Sequence, residues 1–249
     1  MTAVQVHQSD LEMAVQYSLT KEVATQPILD QRKLQTLYQY IETLINFFPN
    51  LRPEMKNFLI SLREWPVMMR LKSLTNTHYK AKVEELLEFH RPFDGTPSDW
   101  ADNGCAGSSP QFRGYPCSLW TLFHTLMSSA TNKVTITSHS SHLLIFLQDL
   151  AWRYHGTMST VANTMINYIR DFFSCRDCSE NFNSHVASIG YLPRNPDQSL
   201  LWLWTIHNTA NVLLSGDPTE VTFIQLSSSR SGHFSSGSSG SQDSLAQPG

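Results

Sequence analysis

The stretch LQTLYQYIETLINFFP (Leu34–Pro49) decides the class of the fold. Leu34, Leu37, Tyr38, Ile41, Leu44, Ile45 and Phe48 recur at spacings of three and four, the apolar stripe of an amphipathic helix, and Pro49 stops it. The same period extends in both directions. Towards the N-terminus, Ser9-x-x-Glu12 reads as a capping box in front of Leu11, Ala14 and Val15. Beyond Pro49, Pro53 suits the first turn of a helix carrying Met55, Phe58, Leu59 and Leu62, which stops before Pro66. Tyr79, Val83, Leu86 and Leu87 make a fourth stripe. A Pro-, Gly-, Asp- and Ser-rich loop follows from His90 to Pro116. A fifth helix begins near Cys117 and carries Leu119, Trp120, Leu122, Phe123 and Leu126. The polar, β-branched stretch Ser128–His142 reads as a surface loop. Val161, Met165, Tyr168, Ile169 and Phe172 then share one face of a helix running to Phe173. A further helix carries Phe182, Val186 and Ile189. Pro193 and Pro196 interrupt the chain, and Asp197 can N-cap a last helix ending at Gly216. With no strand-rich block and no repeat, the expected class is all-α.

Composition narrows the function. The 249 residues are 41% hydrophobic and carry a formal net charge of −3, enough apolar material for a core and no basic field for a phosphate backbone. Nucleic acid is therefore excluded as an expected partner. The longest apolar run, Leu143–Leu147, is far too short for a membrane span. The N-terminal MTAVQVHQSD has neither the basic nor the apolar region of a signal peptide. From Ser227, fourteen of the last twenty-three residues are Ser or Gly, so the tail is expected to be disordered. The VTFIQL before it has no placement.

The chemistry lies in two patterns. Cys175-Arg176-Asp177-Cys178 is a C-x-x-C where one helix ends and another begins, with Phe172 and Phe173 as an apolar wall. Two readings compete, a redox dithiol whose thiolate a helix N-terminus favours and half of a zinc site. The other two cysteines, Cys105 and Cys117, are not spaced as a second zinc knuckle. The second pattern is a polar and aromatic face, Trp204, His207, Asn208 and Asn211, in a helix otherwise carrying Leu200, Leu201, Leu203, Val212 and Leu213. Trp120 and His124 form a similar i, i+4 pair. Each residue alone is consistent with a satisfied core position. Two such faces beside a C-x-x-C point to a planar polar ligand between helices, and a flavin, which accepts electrons from a dithiol, fits.

These residues also carry a resemblance. FRGYPCSLWTLFHTL (Phe112–Leu126), FFSCRDC (Phe172–Cys178) and LWLWTIHNTAN (Leu201–Asn211) closely resemble the Erv/ALR flavin domain of quiescin-type sulfhydryl oxidases. Asp10–Gln16, Asn46–Asn50 and Asn57–Trp65 resemble the helix-rich region that precedes it in that family. The resemblance spans Asp10 to Pro218. It implies an Erv/ALR-type helical bundle with a preceding helix-rich pseudo-repeat region: residues 1–90 as that region, 91–222 as the FAD-binding domain and 223–249 as the tail. It implies FAD contacts from Arg113, Trp120, His124, Asp177, Trp204, His207, Asn208 and Asn211. Cys178 would lie beside the isoalloxazine as the charge-transfer thiolate, and Cys175 would exchange with incoming thiols. Cys105 and Cys117 would form a structural disulfide.

The implied reaction oxidises two thiols to a disulfide and passes the electrons to O2, giving hydrogen peroxide. Small dithiols and unfolded reduced proteins are the implied substrates, and the secretory pathway or the extracellular space the implied location. The alternative is a helical FAD-binding or interaction module without turnover, and a zinc-stabilised adaptor is a third reading. Relative to the family, the chain is expected to lack the thioredoxin-type domains and the C-terminal C-x-x-C. Asn181 and Thr209 stand where many relatives carry histidine and arginine.

Overall fold

The computed structural model describes residues 6–65, 72–98, 100, 104–106, 114–139 and 147–213. Eight α-helices lie among the described residues: α1 (Gln8–Tyr17), α2 (Gln31–Phe47), α3 (Pro53–Glu64), α4 (Asn76–His90), α5 (Tyr115–His139), α6 (Leu147–Phe172), α7 (Arg176–Ile189) and α8 (Pro196–Leu213). The all-α class holds. A π-helical turn (Ser18–Glu22) and a 3-10 turn (Val23–Thr25) extend α1. The Ser/Gly tail, VTFIQL and the Gly216 terminus lie outside the described residues.

Helices α1 to α6 bury most of the stripe their sequences carry, whereas Val186 and Ile189 of α7 are half-buried. In α2, Leu34, Leu37, Ile41 and Leu44 are buried, the Asp30 carboxylate accepts from the Lys33 amide at 2.8 Å as N-cap, and the chain turns out at Phe48. Tyr40 is fully buried while Tyr38 is only half-buried, so the stripe is wider than its spacing suggested. In α3 and α4, Met55, Phe58, Leu59, Leu62, Tyr79, Val83 and Leu86 are buried. Helix α1 packs on α5, α2 on α6, and α5 on α6, so one core runs through both halves of the chain. Its centre is phenolic. The Tyr40 and Tyr168 rings lie 4.4 Å apart, the Tyr115 and Tyr168 hydroxyls meet at 2.7 Å, and the Tyr40 hydroxyl meets Ser18 Oγ at 2.9 Å. Pairing these hydroxyls meets the need of polar groups removed from water.

Four local expectations are corrected. Ser128–His139 is helix, not loop, because the phase of Leu122, Phe123 and Leu126 continues through buried Met127, Ala130 and Thr131. The Thr121, Thr125 and Thr131 hydroxyls donate to carbonyls four residues back, which removes their preference for a turn. Ser140–His142 lie outside the described residues. Ser9 is not a cap: His7 is N-cap of α1, and Glu12 instead binds Arg52 Nε and Nη2 at 3.2 and 2.9 Å and accepts from the Thr96 hydroxyl at 2.6 Å. Asn195 rather than Asp197 caps α8, its Oδ1 accepting from the Gln198 amide at 2.9 Å. Two three-residue strands, Ile28–Asp30 and Ser73–Thr75, pair antiparallel with Leu29 opposite Leu74, both buried. One buried residue per strand leaves no alternation to read.

Candidate functional site

Helix α6 delivers the chain to the site. Asp171, in its last turn, has a fully buried side chain. It accepts from Thr36 Oγ1 at 2.6 Å and from Arg170 Nε and Nη2 at 2.9 Å, and it pairs with Arg32. Burial alone would raise this carboxyl, but the Arg170 and Thr36 bonds and the Arg32 charge hold it below the usual carboxylate range. The end of α6 is thereby tied to α2. Phe172 and Phe173 follow, then Ser174 and the cysteines.

Cys175 and Cys178 are joined in a disulfide, with their Cα atoms 5.3 Å apart. Cys175 is the N-cap of α7, and its sulfur accepts from the Cys178 amide at 3.3 Å. A sulfur in that position faces unpaired helix amides and the positive end of the helix dipole, which favour a thiolate once the bond is reduced. Cys175 is half-buried, and Arg176, Asp177 and Cys178 are exposed. All four cysteines are accounted for, because Cys105 and Cys117 form a second disulfide with Cα atoms 5.6 Å apart. Among the described residues, no group of three or more His, Cys, Asp or Glu side chains could hold a metal ion.

The aromatic cluster lies one turn along α7. Phe182 is four residues after Cys178, hence on the same helix face, and its ring lies 5.8 Å from that of Trp120 on α5. Trp120 stacks on His207 of α8, with centroids 4.3 Å apart and planes 6° from parallel. His124 Nε2 meets His207 Nδ1 at 3.0 Å. Burial pushes the His124 imidazole down to about 4; burial and then the neighbouring His124 push His207 down to about 3. Both rings are therefore neutral at pH 7, and one donates its N–H to the other's lone pair.

The remaining candidates are less tightly gathered. Asn208 and Asn211 are half-buried on α8 beside His207. Trp204 is 58% exposed, so the ring stacked on His207 is Trp120 and not its neighbour on the same helix. Leu200 and Leu201 are also exposed; the buried face of α8 is Ser199, Trp202, Leu203 and Ile206. Arg113 lies outside the described residues. Asn181 is exposed, and Thr209 bonds within its own helix to the Thr205 carbonyl. Sequence reasoning missed one contact at the site, in which Ser174 Oγ donates to the buried Glu22 at 2.9 Å. A carboxylate between Leu19 and Val23, on an apolar phase, was the available signal.

The donor set fits a flavin nucleotide. Trp120, Phe182 and His207 supply stacking surface, two neutral imidazoles supply both a donor and acceptors, and Asn208 and Asn211 supply amides. All of this lies close to a disulfide at a helix N-terminus.

Comparison with known proteins agrees. The profile of the Erv1 / Alr family matches residues 117–228, and that of the flavin adenine dinucleotide (FAD)-dependent sulfhydryl oxidases matches residues 2–108. The chain is 32% identical over 215 residues to Sulfhydryl oxidase 1 of Cavia porcellus, covering 86% of this chain and 32% of that protein. It is 32% identical over 211 residues to Sulfhydryl oxidase 2 of Homo sapiens, covering 85% of this chain and 28% of that one. The chain thus spans about a third or less of these relatives' length. The solved structure "Sulfhydryl Oxidase Fragment of Human QSOX1" superimposes with a TM-score of 0.66 at 30% identity, covering 86% of this chain and 79% of that one.

Proposed function

The chain belongs to the FAD-dependent sulfhydryl oxidase family, and from that membership we propose that it is a flavin-linked thiol oxidase. It forms disulfides from paired thiols, with FAD as cofactor and reduction of O2 to hydrogen peroxide. The observation that carries this is the Cys175–Cys178 disulfide at the N-terminus of α7, on a helix whose next turn meets the Trp120–His207 stack.

The residues divide the work. A substrate thiolate attacks Cys175 Sγ, the Cys175–Cys178 bond breaks, and Cys178 leaves as a thiolate. A second substrate thiolate then displaces Cys175, which releases the substrate disulfide and leaves two electrons on the dithiol. The Cys178 amide, which already points at Cys175 Sγ, stabilises the charge on that leaving sulfur. FAD, when bound, would supply the two-electron acceptor for the dithiol, with O2 as the final acceptor. Cys178 shares a helix face with Phe182, which contacts Trp120, and this supports its assignment as the sulfur facing the flavin. Trp120, His124, His207, Asn208 and Asn211 would hold the nucleotide, joined by Asp177, Trp204 and Arg113 as the family pattern implies. We read residues 1–90 as a helical scaffold against which the flavin domain, 91–222, is built.

Small dithiols reach the exposed turn most readily and are the expected substrates, together with flexible reduced proteins. Two disulfides suit an oxidising compartment, the secretory lumen or the extracellular space. Among the described residues no helix is long and apolar enough to cross a membrane. An absorbance spectrum of the purified protein, paired with oxygen consumption on dithiothreitol, tests the reading. Bound flavin absorbance and dithiol-dependent oxygen uptake are expected. Protein that stays colourless after refolding with excess FAD would overturn it.

A further inference from the structure

Glu22 ends the π-helical turn after α1, is 3% exposed, and belongs to the N-terminal segment rather than to the helices that carry the dithiol. Its Oε1 accepts from Ser174 Oγ at 2.9 Å. Its Oε2 has no hydrogen-bond partner, and no cation pairs with it among the described residues. The Tyr17, Tyr115 and Tyr168 phenols are the titratable groups near enough to interact with it electrostatically. Burial raises its pKa, and Ser174 only partly opposes that. A buried carboxyl with half its acceptor capacity unused carries a cost in stability, and such groups call for an explanation. Here the gain falls on one residue, and that residue immediately precedes Cys175.

We propose that Glu22 is a positioning residue for the Cys175–Cys178 dithiol, a buried carboxyl that clamps the Ser174 hydroxyl and so holds Cys175 where its sulfur meets that of Cys178. The idea rests on the reading of this pair as the redox-active one. Its physical content is effective concentration. Cys175 is the N-cap of α7, and Cys178 is fixed by the helix that follows. The segment entering Cys175 is free to pivot unless something holds it. Asp171 anchors the end of α6, four residues upstream, and the Glu22–Ser174 clamp anchors the last step. A held Cys175 re-forms the disulfide readily, and a loosened one leaves the dithiol reduced for longer. The N-terminal scaffold thereby sets the reactivity of the pair.

The readout is the equilibrium Cys175–S–S–Cys178 + 2 GSH ⇌ Cys175–SH + Cys178–SH + GSSG, measured on the whole chain by quenching with acid and alkylating in glutathione buffers. It needs no flavin turnover. Removing a net hydrogen bond of ordinary strength should shift the constant towards dithiol by roughly three- to tenfold in Ser174→Ala and in Glu22→Ala. Because both remove the same clamp, the double variant should shift it no further than either single one. Ser174→Thr and Glu22→Gln, which keep the hydroxyl and an acceptor, should stay near wild type. A role confined to stability would lower the melting temperature of the Glu22 variants, leave the constant unchanged and show no coupling to Ser174. An unchanged constant in Ser174→Ala overturns the proposal, and this variant suffices if the Glu22 variants fail to fold, because Ser174 is exposed. Additive shifts would overturn it as well. If the wild-type pair cannot be cycled at all, or cycles without supporting oxygen uptake, the redox reading fails first, and the two failures are told apart.

Discussion

The two disulfides lie in opposite kinds of surroundings. Cys105 is 2% exposed, and its bond to Cys117 pins the loop before α5 to that helix. The loop is pressed against α1: a Cβ at Gly104 would come within 2.9 Å of both Asp10 and His7. The Cys105 carbonyl accepts from the Gly114 amide at 2.9 Å, and Gly114 sits at φ +66°, a left-handed conformation that favours glycine. Cys175–Cys178 closes a single turn, with Cys178 exposed and with a helix amide directed at Cys175 Sγ. The first bond is protected and joins segments that would otherwise separate. The second closes a loop of only three residues, so it adds little to the fold and is open to exchange. The same covalent link serves structure in one place and chemistry in the other because of burial and of what the sulfurs face.

Substitution of the cysteines is the strongest way to break that contrast. Cys175→Ser and Cys178→Ser should each reduce dithiothreitol-dependent oxygen consumption to background with little change in melting temperature. In Cys175→Ser the remaining Cys178 thiolate should give a long-wavelength absorbance with the oxidised flavin, and Cys178→Ser should lack it. The band in the other variant would exchange the two roles. Turnover surviving in both would remove the site altogether.

The complementary experiment is the pair Cys105→Ser/Cys117→Ser. Releasing a loop of this length should cost about 3 kcal/mol in the chain-entropy account, a fall in melting temperature of roughly 5–10 °C. Turnover at low temperature should persist. Loss of activity with unchanged stability would place this pair in the electron path.

The helices and the C-x-x-C were legible in the sequence because their signals are local. A stripe at spacings of three and four fixes a buried face, and α2, α3 and α4 bury theirs. The continuation of α5 past Ser128 was hidden by Ser and Thr, whose turn preference is cancelled by back-bonding that only a formed helix offers. Partnerships between distant segments were not legible either. The sequence places Trp120 and His124 on one face and His207 on another, but not the stack or the imidazole bond between them. Glu12 reads as part of a cap until Arg52, forty residues away, is seen to take it.

That imidazole pair gives a pH prediction at the reactive end. Unfolded histidines protonate near 6.5, whereas the folded pair resists down to about 4 and about 3. As pH falls through about 6.5, the unfolded chain takes up protons that the folded chain refuses. The stability of the neutral pair is therefore complete above that value and declines as pH drops towards about 3. Thermal melts between pH 7.5 and 5 should show a shallower decline in His124→Phe/His207→Phe than in wild type, by roughly three to six degrees per pH unit. Parallel slopes would mean that the two rings are solvated and that the α5–α8 contact is looser than their 3.0 Å separation indicates.

The smallest expected effect tests how α8 is held. Its first-turn amide at Gln198 is satisfied by Asn195 Oδ1, and Asp197, the apparent cap by residue type, lies exposed one step inside the helix. Asn195→Ala should cost about 1 kcal/mol, the ordinary value of an N-cap, and shift melting by roughly 2–4 °C. Asp197→Ala removes only an acidic side chain near the positive helix end, a few tenths of a kcal/mol. Because α8 carries His207, Asn208 and Asn211, the Asn195 variant should also release flavin at lower temperature, while the Cys105–Cys117 region keeps its melting behaviour. Equal effects from the two substitutions would return the cap to Asp197. A larger effect from Asp197→Ala would show that the helix starts elsewhere than at Pro196, and the register of the whole aromatic face would have to be redrawn from that point.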